Sequence, residues 1–481
     1  MGFAPLVKNR SLYFLGIKGS GMASLAVLVK RAGARVSGCD SSEIFPTDSQ
    51  LAQEGIDWQT WSEARLPSDL DFVIHSTAYT PDSQPLLREA IDAGKPIYSY
   101  PAFLGLISRY SNCYGVAGTH GKTTTVGCSS FILQPTGIPF FTVYGSSVQK
   151  SPPHRSCLGD SIGILEACEY QDHFLLYHLK GLLITNIELD HPDYFPDIEA
   201  VYASFQNLVA KLPQGGFLVC GTDSAKSKAL AAWARTSRPD LFVVTFGLGR
   251  GNHFRLHNLA YTQGECTFQI DPLDGYFASQ LAGELVCLDL LGASILSACI
   301  VHSQAGGLDL NTLESDPVVA ALLREAAHFP GCTGRMEIMG EESGVLFVDD
   351  YAHHPTEIAV TMESARQRFL GRRLVVVFCP HTRSRTETLF DGFVQALSLA
   401  DVLIVQDIYA SARKDGQADT LPSVAQRLAD EAGGVFAPDE ATVLSTLAGV
   451  LQEDDLCITM GAGNNRGLSA MAASQRRSDT C

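Results

Sequence analysis

The stretch VAGTHGKTTT at residues 116–125 decides how this chain folds. It follows a short run of β-forming residues and leads into a segment that predicts a helix. A strand, a tight turn and then Gly121-Lys122-Thr123 is the arrangement of a phosphate-binding loop, whose backbone N–H groups and helix N-terminus face an anion. Lys122 is then placed to reach phosphate oxygens, and the Thr123 hydroxyl is placed to ligate Mg²⁺.

An ordinary turn is the alternative, because Val116 stands where such loops usually carry their first glycine. A Gly-Lys-Thr triplet alone also arises often by chance. The preceding strand and Gly118 nevertheless favour a site for nucleotide phosphates.

The composition describes a folded protein with an ample core. The 481 residues suffice for roughly three domains of about 150 residues each, and 46% of them are hydrophobic. A net charge of −17 argues against nucleic acid or an acidic membrane surface as a partner, although it allows a local cationic pocket. The 13 cysteines are odd in number and form no C-x-x-C pair, which favours reduced thiols in a cytosolic protein.

A membrane-spanning segment is not expected. We find no run of the roughly 18 apolar residues that crossing a bilayer requires. The most apolar run, residues 288–301, contains Asp289 and is interpreted as a core helix. The N-terminus shows no charged leader before an apolar stretch, so a cytoplasmic protein without membrane insertion is expected.

Alternation of strand and helix patterns predicts a doubly wound α/β architecture in three domains. We place them at residues 1–108, 109–328 and 329–481. The central block continues through two further strand patterns, GILEACE and GLLITNIELDH, and a β-rich stretch follows near residues 254–278.

A first glycine cluster, Gly16, Gly19 and Gly21, lies between the first strand and the first helix. Its order is G-x-x-G-x-G rather than the dinucleotide order G-x-G-x-x-G, and Asp40 follows Gly21 by 19 positions. An acid there is where ribose recognition is expected. The pattern predicts a diphosphate site, while a packing turn and a nicotinamide-dependent dehydrogenase stay open as alternatives.

Acidic and histidine side chains follow two later strand patterns. Glu166 ends one strand, and Asp190-His191 are expected to end the next. Strand ends in such a sheet face the crevice of the phosphate loop, so a carboxylate could complete the Mg²⁺ shell begun by Thr123 and His191 could hold a second metal. Helix capping and a structural histidine are the alternatives.

The third cluster lies in the last block, in DDYAHHPTE at residues 349–357 and in PHTRSR at 380–385. Pro355 indicates that a helix begins there. His381, Arg383 and Arg385 would form a cationic patch that suits a carboxylate or a developing phosphoanhydride.

Six segments, in this order, resemble the ATP-dependent Mur ligases of peptidoglycan synthesis over essentially the whole chain. They are FLGIKGSGMASLA, GTHGKTTT, EACEYQDHFLLYH, TNIELDHPDYF, VDDYAHHPTE and PHTRSRT. The resemblance implies a Rossmann-like UDP-substrate domain, a central P-loop ATPase domain and a Rossmann-like C-terminal domain. The branch that joins L-alanine to UDP-N-acetylmuramate is the most similar, which implies those substrates, ATP and Mg²⁺, and a monomer or weak homodimer.

The resemblance also implies roles for individual residues. The ATP site would comprise Gly118, Thr119, His120, Gly121, Lys122, Thr123, Thr124, Arg335 and Asp350. For the UDP-substrate the resemblance implies Gly16, Gly19, Gly21, Ser76 and Thr77; the residue patterns add Asp40 for the ribose, and His381 and Arg385 for a substrate carboxylate. The metal ligands would be Thr123, Glu166 and His191. The catalytic groups would be Lys122, Glu166, His191, His353 and Arg385.

Two departures from the family pattern stand out. The family carries G-x-H-N-x-x-N near the adenine, and here residues 283–289 read GELVCLD, with Leu285, Val286 and Asp289 at the replaced positions. An ionised Asp289 would accept from the adenine amine but repel the neighbouring ring nitrogen. The usual PHR start of the last motif is PHT. The missing asparagines leave a catalytically weakened ATP-binding regulatory module open as an alternative. Another Mur-type amino-acid or peptide ligase, such as one for murein-tripeptide recycling, also stays open, because amino-acid choice rests on a few pocket residues.

Overall fold

Three successive segments of the chain, rich in buried and β-branched residues, form three β-sheets. The computed structural model describes residues 2–150, 159–262, 265–307, 309–409, 423–463 and 465–479. Residues 263 and 264, within the β-rich stretch expected near 254–278, lie outside the described residues.

The first sheet is parallel, with strand order β3-β2-β1-β4-β5. Its strands are β1 Ser11–Leu15, β2 Arg35–Asp40, β3 Asp57–Thr60, β4 Phe72–His75 and β5 Ile97–Ser99. Its helices are α1 Ala4–Val7, α2 Ser20–Arg31, α3 Thr47–Gln53, α4 Pro85–Asp92 and α5 Tyr100–Tyr110. The strand order reverses beside β1, so the carboxyl ends of β1 and β4 flank a crevice suited to a ligand.

The central sheet has nine strands in the order β14-β13-β12-β11-β10-β9-β6-β8-β7. Its parallel strands are β6 Asn112–Ala117, β7 Phe141–Val143, β8 Ile162–Glu166, β9 Leu179–Ile184, β10 Phe217–Gly221 and β11 Phe242–Gly247. The predicted β-rich stretch is confirmed as β12 Phe254–Thr262, β13 Glu265–Asp271 and β14 Phe277–Ser279, which pair antiparallel.

Helices cover both faces of the central sheet. They are α6 Lys122–Leu133, α7 Ile198–Ala210, α8 Ala225–Ser237, α9 Glu284–Ala305, α10 Leu310–Leu313 and α11 Pro317–Ala326. Short 3₁₀ helices span Gln134–Thr136 and Tyr170–Leu176. Because β6 lies between β9 and β8, the loops after these three strands meet at one edge of the sheet.

The third sheet has six strands in the order β15-β16-β20-β17-β18-β19. They are β15 Glu337–Glu342, β16 Val345–Asp350, β17 Arg373–Cys379, β18 Val402–Val405, β19 Val435–Phe436 and β20 Asp455–Gly461. The helices are α12 Pro355–Arg368, α13 Arg383–Thr388, α14 Phe390–Leu397, α15 Val424–Glu431, α16 Glu440–Val450 and α17 Asn465–Asp479. All the strands except β15 run parallel to their neighbours.

The helix α9 is longer than the apolar run seen in the sequence. By length and composition alone its 22 residues could cross a membrane, but 72% of its most apolar window is buried inside the protein. It packs against α6 and α11. The helix therefore forms the core of the central domain, as the sequence predicted.

The three-domain α/β prediction is confirmed by these sheets, but one strand end was predicted wrongly. The strand pattern expected to reach Asp190-His191 ends at Ile184. Alternating apolar residues continue to Leu189, and Ile187 is buried, so the loop imitates a strand. The boundaries at 108/109 and 328/329 stay predictions; the first falls within the last turn of α5 and the second between α11 and β15.

Candidate active site

The phosphate loop has the strand–turn–helix geometry that its sequence indicated. It connects β6 to α6, and Gly121 stands before the first helical residue with φ of 81°. A Cβ on Gly121 would collide with the Asp289 carboxylate, and a Cβ on Gly118 would collide with the Thr185 hydroxyl. Only glycine therefore allows the loop to lie this close to its neighbours.

A second loop, residues 185–191 after β9, holds the phosphate loop in place. The Asn186 carboxamide oxygen accepts from the backbone N–H of His120 at 2.9 Å, and the Asn186 carbonyl accepts from that of Thr119 at 3.1 Å. The Glu188 N–H donates to the Thr119 hydroxyl at 2.8 Å. Sequence analysis missed this support, although Asn186 stands within the quoted TNIELDH motif.

Lys122 is folded back onto its own loop. Its ammonium group donates to the carbonyls of Gly118 and Thr119 and lies 3.0 Å from a carboxylate oxygen of Glu169. Burial alone would lower the pKa of Lys122, but the Glu169 carboxylate raises it above the usual value. A permanently charged lysine therefore stands at the loop. Glu169 belongs to the quoted EACEY motif, but sequence analysis did not single it out.

Thr123 and Glu166 meet as predicted. The Thr123 hydroxyl donates to the Glu166 carboxylate at 3.0 Å, and the other Glu166 oxygen accepts from the Gly145 N–H at 2.9 Å. A hydroxyl and a carboxylate oxygen beside a phosphate loop are the ligands that Mg²⁺ prefers. These residues fit the implied metal.

His191 lies in a different group from Thr123 and Glu166. Its ring groups with the carboxylates of Glu169 and Asp190, with ligand atoms within 4.8 Å of one another. Burial lowers the pKa of His191 to about 3, so its ring is neutral and can offer a nitrogen lone pair to a metal. His191 keeps its predicted metal role as a proposal, but it follows a loop rather than a strand.

Asp190 is a partner of Arg385. The guanidinium donates to the two carboxylate oxygens at 2.8 Å and 3.2 Å, and both side chains are buried. Burial would raise the pKa of Asp190, but His191 and Arg385 hold it far below the usual value. The predicted cationic patch is thus partly neutralised, with His381 3.3 Å from the guanidinium and Arg383 paired to Glu387 on the surface.

One cavity lies between the phosphate loop and the C-terminal sheet, and both walls carry predicted residues. From the central domain come His120, Gly121, Thr123 and Thr124; from the C-terminal domain come Arg335 and Asp350. The Arg335 guanidinium lies 5.1 Å from the centre of the Tyr351 ring. Asp350 accepts from the N–H groups of Met336 and Ala352, which fixes the turn after β16.

Asp289 lines the same cavity beside the apolar side chains of Leu285, Val286 and Leu288. Burial raises the pKa of Asp289 well above its usual value, although Thr125, Arg335 and His120 oppose this. Burial therefore favours the protonated form of this carboxyl group over the ionised form considered from the sequence. A neutral carboxyl group both donates and accepts a hydrogen bond, as an asparagine does.

The first glycine cluster and Ser76 lie together at the carboxyl ends of β1 and β4. The Gly16 N–H donates to the Cys39 carbonyl at 2.9 Å, and the Ser76 N–H donates to Leu15 at 3.0 Å. Asp40 accepts from the N–H groups of Lys18 and Ser41 at 2.7 and 2.8 Å. Its carboxylate holds the glycine turn, so ribose recognition by Asp40 stays a prediction, as does binding by Gly19, Gly21 and Thr77.

This crevice adjoins the Thr123–Glu166 pair. A Cβ placed on Gly145 would lie 3.2 Å from the Ser20 hydroxyl at the start of α2 and 3.8 Å from a Glu166 oxygen. A ligand that extends from the first sheet can therefore reach the phosphate loop. The last predicted catalytic residue is His353. Its Nδ1 lies 2.9 Å from the Tyr351 carbonyl, and burial lowers its pKa.

Comparison with known proteins agrees with this geometry. Residues 11–111 match the Mur ligase family, catalytic domain; residues 116–296 match the Mur ligase middle domain; and residues 334–463 match the Mur ligase, glutamate ligase domain. The UDP-N-acetylmuramate–L-alanine ligase of Treponema pallidum (strain Nichols) is 36% identical over 95% of both chains. This chain belongs to the Mur ligase family.

Further relatives and solved structures of Mur ligases are similar to this chain over nearly its whole length. The UDP-N-acetylmuramate–L-alanine ligase of Borreliella burgdorferi is 33% identical over 95% of this chain and 97% of its own. Among solved structures, the UDP-N-acetylmuramate-alanine ligase of Thermotoga maritima superposes with a TM-score of 0.76 at 20% identity, covering 98% of this chain and 99% of its own. A murein peptide ligase of Psychrobacter arcticus gives 0.71 at 21% identity, with the same coverages. These two structures show the shared fold.

We predict that Gly121→Ala weakens nucleotide binding, because the new methyl group would displace Asp289 and strain the backbone. A positive φ costs a non-glycine residue about 1–2 kcal/mol before the collision is added. Titration calorimetry with ADP and Mg²⁺ should show at least about a tenfold rise in Kd. Gly137→Ala is the matched control, since its φ is 74° and a Cβ there meets open space. Equal effects of the two variants would contradict the argument.

We also predict that Asp289→Asn stabilises the protein more at pH 8 than at pH 4. Between the unfolded pKa of about 3.9 and the raised folded value, the native state binds a proton that the unfolded state lacks. The free energy of unfolding therefore falls as pH rises in the wild type, and asparagine, which does not titrate, removes this fall. Thermal unfolding should show Tm higher by about 2–4 °C for each kcal/mol gained. Exposed Asp274→Asn is the control; a pH-independent change in Tm would contradict the neutral carboxyl group.

Proposed function

We propose that this Mur ligase joins L-alanine to the carboxylate of UDP-N-acetylmuramate while ATP becomes ADP and phosphate. The observation that carries the proposal is the 36% identity, over 95% of the chain, to relatives named UDP-N-acetylmuramate–L-alanine ligase. A phosphate loop with Lys122, Thr123 and Glu166 in place supports an active enzyme rather than a weakened regulatory module. Its place would be the cytoplasm, in peptidoglycan precursor synthesis.

The chemistry requires activation, because a carboxylate has no leaving group that an amine can displace at neutral pH. Transfer of the γ-phosphoryl group to a carboxylate oxygen gives an acyl phosphate and ADP. The alanine amine then attacks the carbonyl carbon, the C–O bond to phosphate breaks, and the amine loses a proton. In-line phosphoryl transfer spreads negative charge over equatorial oxygens, which a fixed cation stabilises.

Lys122 would supply that fixed cation. Its side chain leaves the carboxylate of Glu169 for the β- and γ-phosphate oxygens when the nucleotide binds. Because Lys122 is buried and charged before the nucleotide arrives, little reorganisation is needed during transfer. Thr123 and Glu166 would hold Mg²⁺, which neutralises phosphate charge when bound.

The UDP part of the substrate would lie in the crevice at Gly16 and Ser76. From there the muramoyl carboxylate would extend past Ser20 and Gly145 toward Glu166. This distance is short, because Gly145 lies close to both Ser20 and Glu166. Water must be excluded from the acyl phosphate, and the cavity wall from the C-terminal domain would provide this exclusion.

His353 is the candidate for removing the amine proton, because the nitrogen lone pair of His191 is assigned to the metal. Burial lowers the pKa of His353, which favours a neutral ring. The His353 Nδ1 faces the Tyr351 carbonyl and so carries the hydrogen, which leaves Nε2 as the proton acceptor. Arg385 and His381 would orient a substrate carboxylate next to this ring.

The proposed reaction predicts phosphate release that requires UDP-N-acetylmuramate and L-alanine together. Phosphate should not form when either is omitted, and a murein tripeptide should not replace alanine. Lys122→Ala should lower kcat more than about a hundredfold, or about 3 kcal/mol, with binding of the UDP substrate retained. Exposed Lys228→Ala is the matched control. Product with the tripeptide but not with alanine would overturn the assignment of the amino acid.

A metal role for Glu166 and His191 predicts a higher Mg²⁺ requirement in Glu166→Gln and His191→Ala. Each variant loses one ligand while the buried sheet below it is unchanged. The Mg²⁺ concentration at half-maximal rate should rise about tenfold to a hundredfold. Glu265→Gln on the exposed side of β13 is the control. A wild-type Mg²⁺ dependence, or a variant that unfolds at ordinary temperature, would count against metal binding.

A further inference from the structure

His120 of the phosphate loop stands between carboxylates from two parts of the chain. Its Nδ1 lies 3.1 Å from a carboxylate oxygen of Glu357 in the first turn of α12. Its Nε2 lies 3.4 Å from a carboxylate oxygen of Glu188 in the loop after β9. The three side chains, named here the His120 clasp, join the central domain to the C-terminal domain. The His120 side chain is only 5% exposed.

Neighbouring contacts keep both carboxylates in place. Glu188 also accepts from the Thr356 hydroxyl at 2.9 Å, and Glu357 accepts from the His353 N–H at 3.0 Å. The His354 ring lies 4.5 Å from that of His120. Because these partners come from the start of α12, its first turn is held directly against the phosphate loop.

A metal ion is not needed to explain this group. The ligand atoms of His120, Glu188 and His354 lie within 4.8 Å of one another. The His354 Nδ1, however, accepts from the Thr356 N–H at 3.3 Å, and its Nε2 lies 3.2 Å from the Leu189 carbonyl. Both ring nitrogens of His354 are thus used in hydrogen bonds. The two carboxylates raise the pKa of His120, which favours an imidazolium cation between them over a metal ion.

We propose that His120 is a positioning residue, and that the His120 clasp sets the distance between the two walls of the nucleotide cavity. The inference rests on the proposed function for its role in catalysis, but not for its effect on nucleotide binding. One wall contains Gly121, which follows His120 directly, and Thr124; the other contains Glu357 and Val360. Loss of the clasp should therefore loosen both walls at once.

The test is a double-mutant cycle with His120→Gln and Glu357→Gln. Glutamine at 357 keeps an acceptor oxygen for the His353 N–H but removes the charge. Titration calorimetry with ADP and Mg²⁺ should show about a tenfold rise in Kd for each variant, because breaking a buried ion pair leaves an unpaired charge in the interior. The Kd of the double variant for ADP should be no more than about twofold above that of the single variant with the lower affinity. A Kd raised by the product of the two single effects would overturn the pairing.

The control variants are His257→Gln, from a surface pair with Asp271, and Glu363→Gln, from the exposed side of α12. Neither should change the Kd for ADP by more than about twofold. If Glu357→Gln lowers Tm by more than the controls do, Glu357→Asp is used, since it keeps the charge but withdraws the oxygen from His120. Wild-type ADP binding in the variant used would overturn the proposal.

A pH series separates positioning from simple stability. Burial opposes protonation, but Glu188 and Glu357 raise the pKa of His120 to about 9. The titratable groups that face His120 from other elements are Glu188, Glu357, His354 and Asp289. Wild-type affinity for ADP should weaken as pH rises through about 9, and His120→Gln should lack that step. A step that persists in the variant belongs to another group and would overturn the proposal.

In the ligation assay, both clasp variants should lower kcat and raise the KM for ATP. The KM for UDP-N-acetylmuramate should stay within about twofold, because that substrate would bind the first sheet. An equal rise in both KM values would overturn the positioning role. Failure of the proposed reaction in the wild type would leave the ADP cycle as an independent test of the clasp.

Discussion

The loop after β9 brings the phosphate loop and the C-terminal domain into one site. Asn186 fixes the backbone of the phosphate loop on one side, and Asp190 receives the guanidinium of Arg385 on the other. A paired buried charge resists separation, since leaving one partner alone in the interior costs about 3–5 kcal/mol. Arg335 across the cavity is also held from the central domain, because Gln149 donates to its carbonyl at 3.3 Å.

Local patterns were enough to predict the architecture. Strands, the turn at Gly121 and the start of α12 at Pro355 each depend on neighbours within a few residues, so their residue types reveal them. The end of β9 could not be seen in this way. Ile187 and Leu189 continue the apolar alternation, but the Thr185 and Asn186 side chains bond the phosphate loop and lead the backbone out of the sheet.

The electrostatic partners were hidden for a different reason. His120 and Glu357 are 237 positions apart, and Arg385 and Asp190 are 195 positions apart. A single sequence gives no measure of such pairings. It indicated that Arg385 and Asp190 were functional, but not that they contact each other. Glu169 was missed because an acid within a short irregular segment has no periodicity that would mark it.

The contact between Lys122 and Glu169 also affects which anions the loop accepts. The ammonium group has a carboxylate at 3.0 Å, so Glu169 competes for it with any anion that approaches the loop. Inorganic phosphate or sulfate, with few contacts of its own, must displace that carboxylate to bind. A polyphosphate that spans the whole loop and brings a metal counter-charge has more contacts with which to do so. The contact between Lys122 and Glu169 therefore favours an extended polyphosphate over a small single anion at this loop.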